Sequence, residues 1–406
     1  MKKSFLQSLG PGLLFAGAAI GVSHLVQSTR AGAEFGFGLI WALLLVHLFK
    51  YPFFQFGPRY AAATGETLLD GYKKLGKWVL LSYYILNFAT MFTIQAAVTI
   101  VTAGLASQLF GFTNDLVLWS TILMFISLII LVVGKYKLLD NLMKYIIIIL
   151  TISTITAVSV ALFSSKEVFD VIQILPSGSV EITFLIAFLG WMPTSLDISI
   201  WHSIWTVEKS KNTFVKIKPK DAIFDFNVGY IGTLILGICF VLLGALVMYK
   251  SGETFSSKGS IFASQLIKLY TKNLGEFSYI FIGIAAFTTM FSTTITTLDA
   301  SPRAMTKTTN LLFNKKTKFN YWFWIIFLFI GTIIILKYFM KNMGILIKTA
   351  TILSFLTAPF YAIFNYILIT GKHTPKEYQP SLPLKILSIV GILFLISFSI
   401  WFLTSL

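Results

Sequence analysis

Two short stretches gather almost all the side chains that could do chemistry inside an otherwise oily sequence. The first reads GVSHLVQST, residues 21–29, and the second GWMPTSLD, residues 190–197. His24 brings an imidazole, which binds transition metals and exchanges protons near neutral pH. Met192 brings a soft thioether that favours softer metals over Mg²⁺ or Ca²⁺. Asp197 brings a carboxylate able to hold a cation or carry a proton. Ser23, Thr194 and Gln27 add oxygens and hydrogen-bonding groups. Gly21 and Gly190 are expected to let the backbone bend beside a bound solute. These seven, Gly21, Ser23, His24, Gly190, Met192, Thr194 and Asp197, form the predicted substrate site, with His24, Met192 and Asp197 as its metal ligands. Each has a plainer reading. His24 fits a buried histidine bonded to a carbonyl, Met192 a gap-filling core residue, and Asp197 the partner of a basic side chain. On a helix Asp197 lies about one and a half turns beyond Met192, so a shared ion does not follow from spacing alone.

The elements that must position these residues are membrane helices. The 406-residue chain is 56% hydrophobic and 12% charged, with a mean hydropathy of +0.81. Soluble domains are nearer 45–50% apolar and about 25% charged. Apolar runs lie at roughly 9–29, 35–56, 78–107, 115–134, 141–163, 181–205, 230–249, 277–300, 320–337, 343–370 and 384–404. Each approaches the ~20 residues a helix needs to cross the hydrocarbon core. None alternates as a membrane strand would. The spacing predicts an all-α integral membrane protein of about eleven spans, with no soluble domain and the whole of 1–406 as one transmembrane unit. Both chemistry-bearing stretches fall inside spans, the first and the sixth. Proline and glycine there interrupt a helix. Those spans begin two five-run sets, about 9–163 and 181–370, and 384–404 is an extra helix. Matched breaks in two halves point to a transporter's midplane binding site. An ionisable residue at that depth is functional by default.

The net charge of +16 is topological. Of 32 Lys and Arg residues, 22 fall on one alternate set of loops and nine on the other, with Lys50 inside the second run. The bias places the N-terminus in the cytoplasm and the C-terminus outside. It makes anionic lipid, and not nucleic acid, the expected partner. Lys50 is expected to snorkel or to pair with an acid, and Arg30, Glu34 and His202 to face water or headgroups. The single cysteine, Cys239, excludes an internal disulfide, and the four histidines lack metal-site spacing. No nucleophile elbow, phosphate loop or HExxH is present, so neither an enzyme nor a cofactor is expected.

Several motifs resemble the Nramp family of divalent-metal transporters. GPGLL (Gly10 to Leu14) and AGAEFGF (Ala31 to Phe37) are close to that family's GPG and AGAxFGY. RYAAATGETLLDGY (Arg59 to Tyr72) is similar to its R…TG…L stretch. Met192-Pro193 matches the start of its MPH motif, and STTITTLDA (Ser292 to Ala300) looks like its ST-rich stretch. The resemblance implies a LeuT-like fold, two inverted five-helix repeats with broken helices 1 and 6 plus an eleventh helix. It implies inward movement of a divalent metal, often with a proton. The departures are specific. Where the family has Asp-Pro-Gly-Asn, this chain has Gly21, Val22, Ser23 and His24. The family's MPH histidine falls at Thr194, and 78–107 contains no acid.

The leading expectation is a plasma-membrane secondary transporter moving a divalent metal ion by alternating access between the two breaks, with a proton as possible coupled ion. The alternative keeps the scaffold and moves a small organic solute, an amino acid or organic acid, because the metal-binding carboxylate is missing. A non-transporting sensor or assembly partner is a third reading, against which stands the lack of an output domain.

Overall fold

The structure, a computed structural model, describes residues 10–164, 172–214, 217–249, 255–256, 259–275, 278–314, 319–339 and 343–404. Lys2 and Lys3, with Lys166, Lys216, Lys250, Lys258, Lys315, Lys316, Lys318 and Lys341 of the charge count, lie outside them.

Helices dominate because a backbone in lipid must bond to itself. In chain order they are α1 (Pro11–Ala19), a π-helical turn (Ser23–Ser28), α2 (Thr29–Phe35), α3 (Ile40–Thr64), α4 (Leu68–Leu75), α5 (Lys77–Phe110) and α6 (Leu116–Ser164). Then follow α7 (Ser179–Trp191), α8 (Ile198–Thr213), α9 (Pro219–Val247), α10 (Gly259–Leu274), α11 (Ser278–Phe313), α12 (Phe319–Phe339), α13 (Met343–Thr370) and α14 (Leu382–Thr404). Seven of the described helices are long and apolar enough to span by themselves, and α1 with Ser23–Phe35 forms an eighth span bent by 44°. The apolar pieces Ile147–Phe163 and Ser179–Trp191, together with α11, account for the remaining predicted runs.

One boundary differs from expectation. The fourth and fifth runs, 115–134 and 141–163, are predicted as separate spans, and instead a single 49-residue helix, α6, passes through both. Straight, it would measure ~74 Å, beyond the ~40–45 Å of a whole bilayer. Large apolar side chains such as Val133 and Phe163 stand exposed along it, as a lipid-facing surface requires.

The site is positioned by α9, which packs on α1, α2 and α3. Close approach depends on small residues. A Cβ on Gly12 would lie 2.0 Å from the Asp225 carbonyl oxygen, so the GPG glycine is required by contact. The Asp225 carboxylate accepts hydrogen bonds from Gly10 N (3.0 Å) and Gly12 N (2.8 Å). A side chain from α9 thus caps the positive end of α1, where a carboxylate is favoured. Beside it, Phe15 sits against Phe54, Phe226 and His202 with centroids 5.2–5.6 Å apart. His202 therefore does not face water. It is fully buried, and neither ring nitrogen has a hydrogen-bond partner.

Candidate functional site

The first break begins where α1 stops at Ala19. Ile20 leaves helical geometry (φ −79°, ψ 68°), and Gly21 N turns back onto the Ala19 carbonyl at 2.9 Å. A helix end leaves four carbonyls without intrahelical partners, and inside a membrane each needs another. Ile20 N bonds Ala16 O at 2.7 Å, and the Thr293 hydroxyl on α11 donates to Gly17 O at 3.1 Å. Ala19 O receives the Ser23 hydroxyl and lies 3.0 Å from His24 Nδ1. The other nitrogen, Nε2, is 2.9 Å from Thr233 O on α9, and Ser23 Oγ is 2.8 Å from Nδ1. Both nitrogens of His24 thus face protein carbonyls, and the ring is fully buried.

The second break runs from Met192 to Asp197. Met192 is extended (φ −88°, ψ 129°), the Met192–Pro193 peptide is cis, and Asp197 opens α8. Proline at 193 has no N–H to continue α7. Of the carbonyls this strands, Phe188 O is met by Met192 N at 3.1 Å. Leu189 O and Gly190 O are met by a side chain from α3. Lys50 Nζ lies 2.7 Å from the first, 2.8 Å from the second, 3.1 Å from Met192 O and 3.4 Å from Thr194 O. Lys50 neither snorkels nor makes a contact ion pair. It is fully buried, and its ammonium ends in the break. Asp197 interacts with it electrostatically, and its buried carboxylate is approached by the Ser195 side chain and the Ile198 N–H without a bond of good geometry. Met192 Sδ accepts a weak bond from the Ser28 hydroxyl at 3.4 Å.

Between the breaks lies a cavity of about 30 Å³, room for one or two waters or one small ion. Ser23, Thr194, Ser195, Thr293 and Thr297 give it hydroxyls, and Trp191 and Trp201 wall it. Of the predicted residues, Ser23 and Thr194 line it directly. His24, Met192 and Asp197 surround the breaks without lining it. Gly21 packs on Thr293, and Gly190 abuts the Thr351 carbonyl of α13, 2.3 Å from where its Cβ would be. Among the described residues no group of three or more His, Cys, Asp or Glu side chains is arranged to hold a metal. Along α2 and α7 a wider vestibule of about 300 Å³ opens, lined by Gln27, Arg30, Glu34, Phe184 and Lys348 among others. Arg30 pairs with Glu34 at 2.8 Å.

Sequence reading missed Lys50, Asp225 and Thr293 as builders of these ends. A lysine alone in an apolar run was the only signal for the first. The hydroxyls of α11 mostly bond back into their own helix, as Thr289, Thr294 and Thr296 do at 2.7–3.0 Å, so Thr293 was not separable from its neighbours.

The sequence matches the family described as natural resistance-associated macrophage protein-like, Nramp, over residues 12–405. The chain belongs to the Nramp family. Another similar protein, from Pasteurella multocida and described only as uncharacterized, is 37% identical over 404 residues, covering 98% of this chain and 92% of its own. Among solved structures, the manganese transporter of Eremococcus coleocola superposes with TM-score 0.75 at 12% identity, covering 98% of this Nramp chain and 87% of that one. MhsT bound to L-phenylalanine gives TM-score 0.64 at 14% identity over 96% of this chain and 98% of its own. Mhp1, a nucleobase-cation-symport-1 family transporter, gives 0.61 at 15% over 98% and 93%. At such identities these structures establish the fold alone, an all-helical, LeuT-like membrane protein with multiple spans.

Proposed function

We propose that this Nramp protein is a secondary transporter that works by alternating access, holding its cargo between the first and sixth spans. The observation that carries this reading is the pairing of two helix breaks, after Ala19 and after Trp191, around one hydroxyl-lined cavity. Family membership supports a divalent metal ion as cargo, and the manganese transporter of Eremococcus coleocola shares the fold. The buried Asp197 carboxylate is the group best placed to attract a cation. Met192 and His24 are the further proposed ligands, and His24 would have to leave its carbonyls to serve. The proposed orientation puts the N-terminus and α4 in the cytoplasm and the Arg30 vestibule outside, in a plasma membrane with anionic lipid on the basic face. A coupled proton is the proposed driving ion.

A second reading has its own support. The Lys50 ammonium already fills the carbonyls of the second break, and Arg30 and Lys348 outnumber Glu34 in the vestibule. Net positive charge in that vestibule favours a negatively charged or zwitterionic organic solute and opposes a dication. Uptake into proteoliposomes separates the two. Saturable Mn²⁺ or Zn²⁺ flux that Asp197→Ala abolishes supports the metal reading. Flux of an amino or organic acid with no flux of any divalent metal supports the second. Absence of flux for every class rejects transport.

A further inference from the structure

The broken end of α7 is built like a cation site. Leu189, Gly190, Met192 and Thr194 turn four main-chain oxygens onto one point, at 2.7, 2.8, 3.1 and 3.4 Å from Lys50 Nζ. An ammonium has three hydrogens to donate, so this cluster offers one more oxygen than the side chain can bond individually. That is the arrangement of a coordinated ion more than of a simple helix cap. Rings of neutral carbonyls hold monovalent cations elsewhere, and unwound carbonyls at half-helix ends hold coupling ions in transporters with broken spans. The stem of Lys50 runs in from α3, and the side chain is fully buried with no contact ion pair to neutralise it. Among the described residues, the carbonyl cluster and, at longer range, Asp197 compensate its charge.

We propose that residues 189–194 form a monovalent-cation site whose occupant in this protein is the tethered ammonium of Lys50, in place of a free ion. The tether makes the break independent of any dissolved cation. Removing it uncovers a site for potassium, whose size is close to that of ammonium, or for a small alkylammonium ion. The proposal stands whichever cargo the cavity takes, since it concerns what holds the break open and not what crosses.

The test uses the full chain in detergent and its thermal unfolding midpoint in choline, sodium, potassium and methylammonium chloride at equal ionic strength. Wild type is expected to show the same midpoint in all four. Lys50→Ala is expected to unfold several degrees lower in choline and to regain most of that loss, saturably, with potassium or methylammonium. A Lys50→Ala midpoint equal to wild type in choline overturns the proposal. So does equal recovery in all four salts, and so does a saturable potassium response of wild type. Should Lys50→Ala not survive extraction in choline, it and the stem-preserving Lys50→Met are purified with potassium or methylammonium present throughout. Monodisperse protein in those salts alone supports a tethered cation, and failure in every salt overturns it.

Discussion

Replacing His24 by phenylalanine asks whether the imidazole holds the break or holds the cargo. The slightly larger phenyl ring leaves no cavity, so cavity formation contributes nothing. What is lost is the pair of contacts to Ala19 O at 3.0 Å and Thr233 O at 2.9 Å. Neither carbonyl is orphaned. Ala19 O retains Gly21 N and the Ser23 hydroxyl, and Thr233 O, in the middle of α9, retains its intrahelical donor. A neutral imidazole has one N–H to donate, so one of the two contacts is a hydrogen bond, and its loss counts at a net value of about 0.5–1.5 kcal/mol. The measurement is a denaturant titration in mixed micelles, with cargo affinity determined calorimetrically on the folded variant. A structural His24 predicts lowered stability with cargo affinity kept within about twofold, a change below ~0.5 kcal/mol. Unchanged stability with cargo binding abolished would refute the structural role and make His24 a ligand.

Three further outcomes follow from the same geometry. Asp225→Ala removes both acceptors at the start of α1 and is expected to lower stability by about 2–4 kcal/mol, with Asp225→Asn losing roughly half as much, in the same titration. Gly12→Ala forces a methyl to within 2.0 Å of the Asp225 carbonyl. It is expected to cost about 1–3 kcal/mol or prevent folding, read as lost monodisperse protein by size exclusion. On α4, outside the spans, burial works against the Asp70 charge, but the Lys307 ammonium at 2.7 Å and the Thr67 hydroxyl outweigh it and hold the carboxyl below its ordinary value. A depressed acid stabilises the fold above its unfolded value, about 3.9, and loses that contribution as pH falls through the folded one. Asp70→Asn should therefore be less stable than wild type at pH 7, and the difference should shrink below about pH 4.

What could be read from the sequence was what a residue does to its own backbone. Pro193, Gly190 and Gly21 disrupt a helix wherever it lies, so both breaks were legible, and apolar length alone placed the spans. What could not be read was where a polar side chain finds its partner when that partner is a carbonyl. Lys50 meets oxygens 139–144 positions away in sequence, and His24 meets one 209 positions away. Every residue owns a carbonyl, so composition carries no trace of such a pairing. His202 was misjudged for a related reason. It lies near the end of a predicted run, but α8 continues to Thr213 and the ring is packed on Phe15 and Phe226.

The sign of the cargo is the question these contacts sharpen, and a carboxylate restored at position 21 addresses it. By the resemblance of motifs, the family's first-helix Asp falls at Gly21, and the Gly21 Cβ position lies 3.0 Å from the Thr293 side chain. That is tight, but a threonine methyl and hydroxyl can move by the few tenths of an ångström needed. If the missing carboxylate were all that keeps divalent ions out, Gly21→Asp alone should bind Mn²⁺. If the Lys50 cation also guards the break, the new carboxylate is drawn to that ammonium and the dication meets repulsion. Gly21→Asp should then bind weakly, and Gly21→Asp with Lys50→Met should bind at least tenfold more tightly, a gap of about 1.4 kcal/mol. Calorimetry with Mn²⁺ on both variants decides. Equal affinities would mean that Lys50 has no part in excluding the metal, and that the charge of residue 21 alone sets what this site admits.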